Sequence, residues 1–117
     1  MDDEAQNLAS RLLALRKWER ANLPFNSSML ARDVMLYALA AQGDQQSAGI
    51  KQFYLTLGYS EDHAGQMIRQ LCSEGWLVAE QHPTDRRSKI IKPSDKLLSV
   101  FQKLREQMLG LVAHRVN

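Results

Sequence analysis

The residues best suited to chemistry lie in the run Ser60 to Pro93, SEDHAGQMIRQLCSEGWLVAEQHPTDRRSKIIKP. Arg86, Arg87, Lys89 and Lys92 are four cations within seven residues, and Glu80 and Asp85 are the only acids near them. Such a cluster suits an anionic polymer better than a reaction, because guanidinium and ammonium groups neutralise phosphates and can enter a narrow groove. Upstream, Asp62, Gln66, Arg69 and Ser73 recur at helical spacing, flanked by His63, Gly65 and Gln70. These side chains can exchange hydrogen bonds with base edges and phosphates. An ordinary solvated helix face would look the same, and Glu61 and Asp62 repel phosphates. The basic hairpin that follows directly favours a duplex as the partner.

Catalytic and metal chemistry find no comparable support. His63, His82 and His114 fall in separate elements, and no pair has metal-ligand spacing. Cys72 sits at the edge of a helical core face, where an inert, half-buried thiol is expected rather than a redox sensor, although Arg69 lies one turn away. Neither a glycine-rich phosphate loop nor a nucleophile elbow is present. The adjacent Glu61 and Asp62 are explained by helix capping. The expectation is no enzyme activity, no metal and no cofactor.

The elements that would position these residues can be read around them. Ser60 is an N-cap candidate for a helix over about 60–74, with Ala64, Met67, Ile68, Leu71 and Gly75 on its core side. Gly75 stops that helix as a residue of left-handed conformation would. Trp76-Leu77-Val78 and Lys89-Ile90-Ile91-Lys92 start two strands, with Pro83 and Asp85 suited to the turn between them. Upstream, Ser47 can cap a helix over 48–57 with Ile50, Phe53, Tyr54 and Leu57 on one face, and Gly58-Tyr59 makes a tight turn into Ser60. Two short helices joined by a glycine-containing turn form a helix-turn-helix, the second helix being the reader.

The first helix is expected over 4–21, with Ala5, Leu8, Leu12 and Leu15 as an apolar stripe widened by Ala9, Leu13 and Trp18. Arg11, Arg16, Lys17 and Arg20 fill a solvated face, and Leu23-Pro24-Phe25 breaks the helix. Asn26, Ser27 or Ser28 caps a second helix that ends near Gln42. That helix is apolar nearly all round and hence central. Residues 43–47 form a loop. Ser94 caps a last helix over 95–114, where Leu97, Phe101, Leu104, Met108 and Leu111 make the narrow seam of a coiled coil, widened by Leu98, Leu109 and Val112. The two terminal helices carry more apolar surface than one packed face requires. They are therefore expected to form a homodimer, centred on Phe101, Leu104 and Met108 with Leu8, Leu12 and Leu15 beside them.

Over residues 30 to 93 the chain resembles the MarR family of bacterial regulators. The likeness is carried by Leu71-x-x-x-Gly75-Trp76-Leu77 and by His82-Pro83-Thr84-Asp85-Arg86-Arg87-Ser88, which look like that family's leucine-x3-glycine-leucine helix end and its proline-x-aspartate-x-arginine wing. The resemblance implies a mainly α fold with a small β-hairpin wing (α+β), the winged helix-turn-helix. It implies that Asp85 orients an arginine, that Arg87 is the arginine inserted in the minor groove, and that Asp62, His63 and Gln66 face bases in the major groove. Ser60, Arg69, Gln70, Arg86 and Lys89 complete the expected DNA-contact set, with the wing over about 82–89. Two positions depart from the family. Lys92-Pro93-Ser94 replaces its usual leucine-threonine pair, and one helix stands where it has two at the C-terminal end.

The chain has 117 residues, enough for one core, and its 44% hydrophobic and 24% charged content is that of a globular domain. A net charge of only +2 means that DNA affinity has to come from local clustering. No apolar run approaches the roughly 20 residues that span a membrane. The acidic start Met1-Asp2-Asp3-Glu4 is unlike a signal peptide, and one cysteine makes no internal disulfide. These features point to a cytoplasmic, sequence-specific, double-stranded-DNA-binding transcription regulator. A small-molecule effector is compatible with such a fold, but no residue here supports one. Two other readings compete. A winged helix can serve as a protein-interaction module, which would more readily carry an apolar wing tip than Arg86 and Arg87. The dimerisation domain of a larger enzyme is disfavoured by a chain that ends at Asn117.

Overall fold

A helix that is apolar nearly all round must be largely covered. In the computed structural model of this chain α2 (Met29–Gly43) is so covered, with Ala31, Val34, Met35, Ala38 and Ala41 buried. The structure describes residues 3–24, 28–43, 49–85 and 87–116, without the side chains of residues 43 and 110–116. The element order is α1 (Asp3–Asn22), α2, α3 (Ile50–Leu57), α4 (Glu61–Ser73), β1 (Leu77–Gln81), β2 (Lys89–Pro93) and α5 (Asp95–Val116). The fold class is the expected one: five helices and one antiparallel hairpin. The caps expected at Asn26, Ser27 and Ser47 lie outside the described residues, as do Asp44 and Arg86.

The chain divides into two compact units, residues 28–98 and the terminal segments 1–27 with 99–117. In the first, Ser28 is the cap of α2, its Oγ accepting from the Ala31 N–H at 3.2 Å. α3, α4 and β2 pack around α2, and their buried side chains include Phe53, Ala64, Ile68, Leu71, Ile90 and Ile91. Tyr37 meets the Phe53 ring edge-on at 4.8 Å, the geometry that the ring quadrupoles favour. Each fully buried side chain of this size contributes about 1.5–3 kcal/mol.

Neighbouring residues of a strand face opposite sides, so burial of both Ile90 and Ile91 means that β2 is covered on both. β1 and β2 pair from Leu77↔Pro93 to Gln81↔Lys89. An isolated bridge from Gly49 to Ile90 adds a third segment beside the hairpin, and sequence analysis does not anticipate it. Ile50, expected on the buried face of α3, is 36% exposed, whereas Phe53 is fully buried. Ile50 opens the helix immediately after the bridging Gly49, at the rim rather than over the core.

In the terminal unit, Leu23 and Leu104 are buried, while Leu8, Leu12, Leu13, Met108 and Leu109 are exposed. A cavity of about 250 Å³ lies among Leu8, Leu12, Leu15, Trp18, Leu104 and Met108. Leu104, expected to project toward a partner, is only 7% exposed in the single chain. It lines this groove instead, and Met108, one turn on, projects at 49%. Among the described residues no helix is long and apolar enough to cross a membrane.

Candidate nucleic-acid interface

The reading helix is held at both ends by local chemistry. Ser60 Oγ accepts from the His63 N–H at 3.2 Å, and Glu61 and Asp62 occupy the first turn, where the helix dipole favours acids. At the other end Gly75 takes φ +84°, a left-handed conformation costly for residues with a Cβ. Its N–H donates to Cys72 O at 3.1 Å, and the Trp76 N–H donates to Leu71 O at 2.9 Å. These two bonds form a Schellman cap, closed by burial of both Leu71 and Trp76. Two expectations shift accordingly. Gly75 is exposed rather than on the core face, because it has already left the helix. Trp76 belongs to the cap, and β1 starts at Leu77.

The next elements are tied to this cap. Lys96 Nζ lies 4.0 Å from the Trp76 ring centre and donates to Glu74 O at 3.3 Å, so a cation covers the negative end of α4. The Ser94 N–H donates to Trp76 O at 3.0 Å, and Ser94 Oγ accepts from the Leu97 N–H at 3.1 Å. One serine therefore ends the hairpin and starts α5. Ahead of α4, Gly58 takes φ +78° and donates to Tyr54 O at 3.0 Å. The Tyr59 hydroxyl donates to Asp33 Oδ2 at 3.0 Å, which anchors the turn to α2. That bond, with partial burial and the aspartate's charge, pushes the Tyr59 phenol above its ordinary range.

With α4 so fixed, its core side carries Ala64, Ile68 and Leu71 buried. Asp62, His63, Gln66, Arg69, Gln70 and Ser73 are all exposed, as is Ser60. Gln70 is not fully free to read, since its amide donates to Glu74 Oε1 at 3.1 Å. Met67 is half-buried at the margin.

The wing turn is built around two side chains. His82 Nδ1 accepts from the backbone N–H of Thr84 at 3.2 Å and of Asp85 at 3.1 Å. The Asp85 carboxylate accepts from the Arg87 N–H at 3.0 Å and from the Ser88 hydroxyl at 3.0 Å. The His82 N–H donates to Ser88 O and the Ser88 N–H to Asp85 O, both at 3.1 Å. Asp85 therefore grips the backbone of Arg87. The bonds from Arg87 and Ser88 hold its carboxyl below the usual aspartate value, with nearby His82 adding to the effect against a small opposing burial. Arg87 and Lys89 are exposed. Lys92 is engaged with Glu80, Nζ to Oε2 at 2.9 Å, which leaves the wing's cationic character to the tip. The organising role of His82 is not legible from residue spacing, and its place just before a Pro-x-Asp turn is the one local signal of it. Cys72 is half-buried, and burial pushes its thiol above the ordinary range despite the opposing charge of Lys89. That agrees with an inert thiol.

No protein-family model and no curated protein matches the sequence. Solved structures do match. The transcriptional regulator Tm0710 from Thermotoga maritima aligns with a TM-score of 0.68 at 14% identity, over 97% of this chain and 80% of that one. A MarR-like transcriptional regulator, also from Thermotoga maritima, aligns at 0.59 and 20% identity over 99% and 82% of the two chains. The fold is that of the MarR-like regulators. A MepR variant from S. aureus bound to an oligodeoxyribonucleotide aligns at 0.63 and 15% identity, over 94% and 83%. These alignments cover more of the chain than residues 30 to 93, over which the sequence resemblance runs.

Proposed function

We propose that the chain is a sequence-specific, double-stranded-DNA-binding transcription regulator, with α4 in the major groove and the wing at the minor groove. One observation carries this reading. A helix capped at both ends exposes a polar row, and the hairpin directly after it holds an exposed arginine on a hydrogen-bonded turn. A protein that reads a duplex needs such a rigid reader with a cationic arm beside it. The oligodeoxyribonucleotide bound to a MepR variant of the same fold supports the assignment. In this reading the protein is not an enzyme and acts in the cytoplasm. Ser60, Asp62, His63 and Gln66 face bases, Arg69, Gln70, Arg86 and Lys89 hold backbone, and Arg87 enters the minor groove with Asp85 fixing its main chain. The terminal helices pair two copies through exposed Leu8, Leu12 and Met108, with Leu15, Phe101 and Leu104 beneath or beside them.

Gln66 and Arg69 separate reading from holding. A glutamine can make two hydrogen bonds to adenine, whereas an arginine on phosphate is indifferent to sequence. Gln66→Ala is expected to reorder a panel of duplexes by affinity, and Arg69→Ala to weaken all of them alike. A Gln66→Ala protein that keeps the parent's ranking would remove Gln66 from the reading set.

A further inference from the structure

Between the first turn of α3, the outer edge of α4 and the wing lies a cavity of about 760 Å³. Lys51 stands on one wall, Arg69 on the second, and Arg87 and Lys89 on the third, while Ile68 and Ile91 are part of its lining. Among the described residues no carboxylate lines it. Among the described residues none of the four cations is ion-paired, in contrast to Lys92, which Glu80 engages. Four exposed cations around a lining of polar and apolar residues favour an anion among them. The complement of such a surface is a chain with negative groups along its edge and less polar sugar faces between them.

We propose that this cavity is a phosphate seat for the DNA strand that passes from the reading helix to the wing, and that Lys51 is a DNA contact. The inference rests on the DNA-binding reading and extends it to the first helix of the helix-turn-helix, from which sequence analysis drew no contact. The cations come from three separate elements, so the seat exists only when α3, α4 and the hairpin are assembled. Lys51, Arg69 and Lys89 contact backbone there and hold the duplex in register without choosing its sequence, while Arg87 continues from the rim of the seat into the minor groove.

Lys51 is exposed, so Lys51→Gln should leave the circular dichroism spectrum and thermal midpoint unchanged. Removing one phosphate contact should lower the slope of log affinity against log salt by about 0.9. The ratio of wild-type to variant affinity should then shrink about threefold between 50 and 200 mM salt, equally for a selected duplex and an unrelated one. Lys51→Arg should restore the slope. Cys72, the sole cysteine, lines the same cavity, so saturating duplex should slow its alkylation by a maleimide. Pyrophosphate should not do so at micromolar concentration. An unchanged slope in a protein that binds duplexes would remove the seat alone. Protection by micromolar pyrophosphate but not by duplex would reassign the cavity to a small anion and overturn the proposal. If the wild type shows no salt-dependent binding to any duplex, the DNA reading fails and the seat with it.

Discussion

At the residue scale the wing depends on Asp85 more than on the number of its positive charges. Its carboxylate receives the Arg87 N–H and the Ser88 hydroxyl, and a free alanine cannot replace either bond. Arg87→Ala should weaken specific binding by about 1–3 kcal/mol without unfolding the chain. Asp85→Ala should weaken it too, although it removes a negative charge beside DNA; tighter binding by Asp85→Ala would show that the turn needs no organiser. The same bonds set a pH dependence. The Asp85 carboxyl is held below its ordinary value, so its stabilisation of the turn is complete above the unfolded aspartate value of about 3.9. That stabilisation is lost as pH falls through the lower folded value. Nuclear magnetic resonance should find the Asp85 carboxyl titrating below ordinary aspartate, with the Arg87 amide shifting in step. Titration at or above about 3.9 would mean that the two bonds are not formed in solution.

At the element scale a glycine inside the reading helix and one just past its end should respond in opposite directions. Gly75 sits at φ +84°, so Gly75→Ala should destabilise the protein by about 1–2 kcal/mol. Gly65 lies inside α4, where glycine costs about 0.5–1 kcal/mol relative to alanine. A Cβ there would stand 3.3 Å from Arg69 Nη1, the end of a flexible side chain that can move aside. Gly65→Ala should therefore stabilise by about that amount. Urea unfolding of both variants measures the pair, and a shared sign would contradict the helix-end assignment. This contrast also marks how much the sequence made legible. Ser60, Gly75 and Ser94 act on backbone groups within a few residues, and each cap is readable from local spacing. The Gly49–Ile90 bridge, the exposure of Ile50 and the burial of Leu104 depend on what lies across the fold, and a one-dimensional pattern carries no trace of them. The engagement of Gln70 by Glu74 is local, yet helical spacing alone did not distinguish it from an unoccupied reader.

At the scale of the whole molecule the question is what covers the terminal helices. Leu12 and Met108 are 52% and 49% exposed in the single chain, and several such leucines and methionines together exceed what an isolated monomer usually leaves in water. A two-fold partner would bury them. Light scattering should give twice the 13.3 kDa chain mass at micromolar concentration. Met108→Glu should shift the protein to monomers that keep their helical spectrum, because this side chain is already half in water. A wild type that stays monomeric would leave the apolar surface unexplained and remove the dimer. Selection of bound sequences from random duplex DNA is the decisive measurement for a protein that reads DNA. An enriched pseudo-palindromic motif with half-sites about 10 base pairs or a multiple apart is expected, lost on Arg87→Ala. Failure to enrich any motif, with only weak and uniformly salt-sensitive binding, would contradict it and favour a winged helix that meets proteins instead.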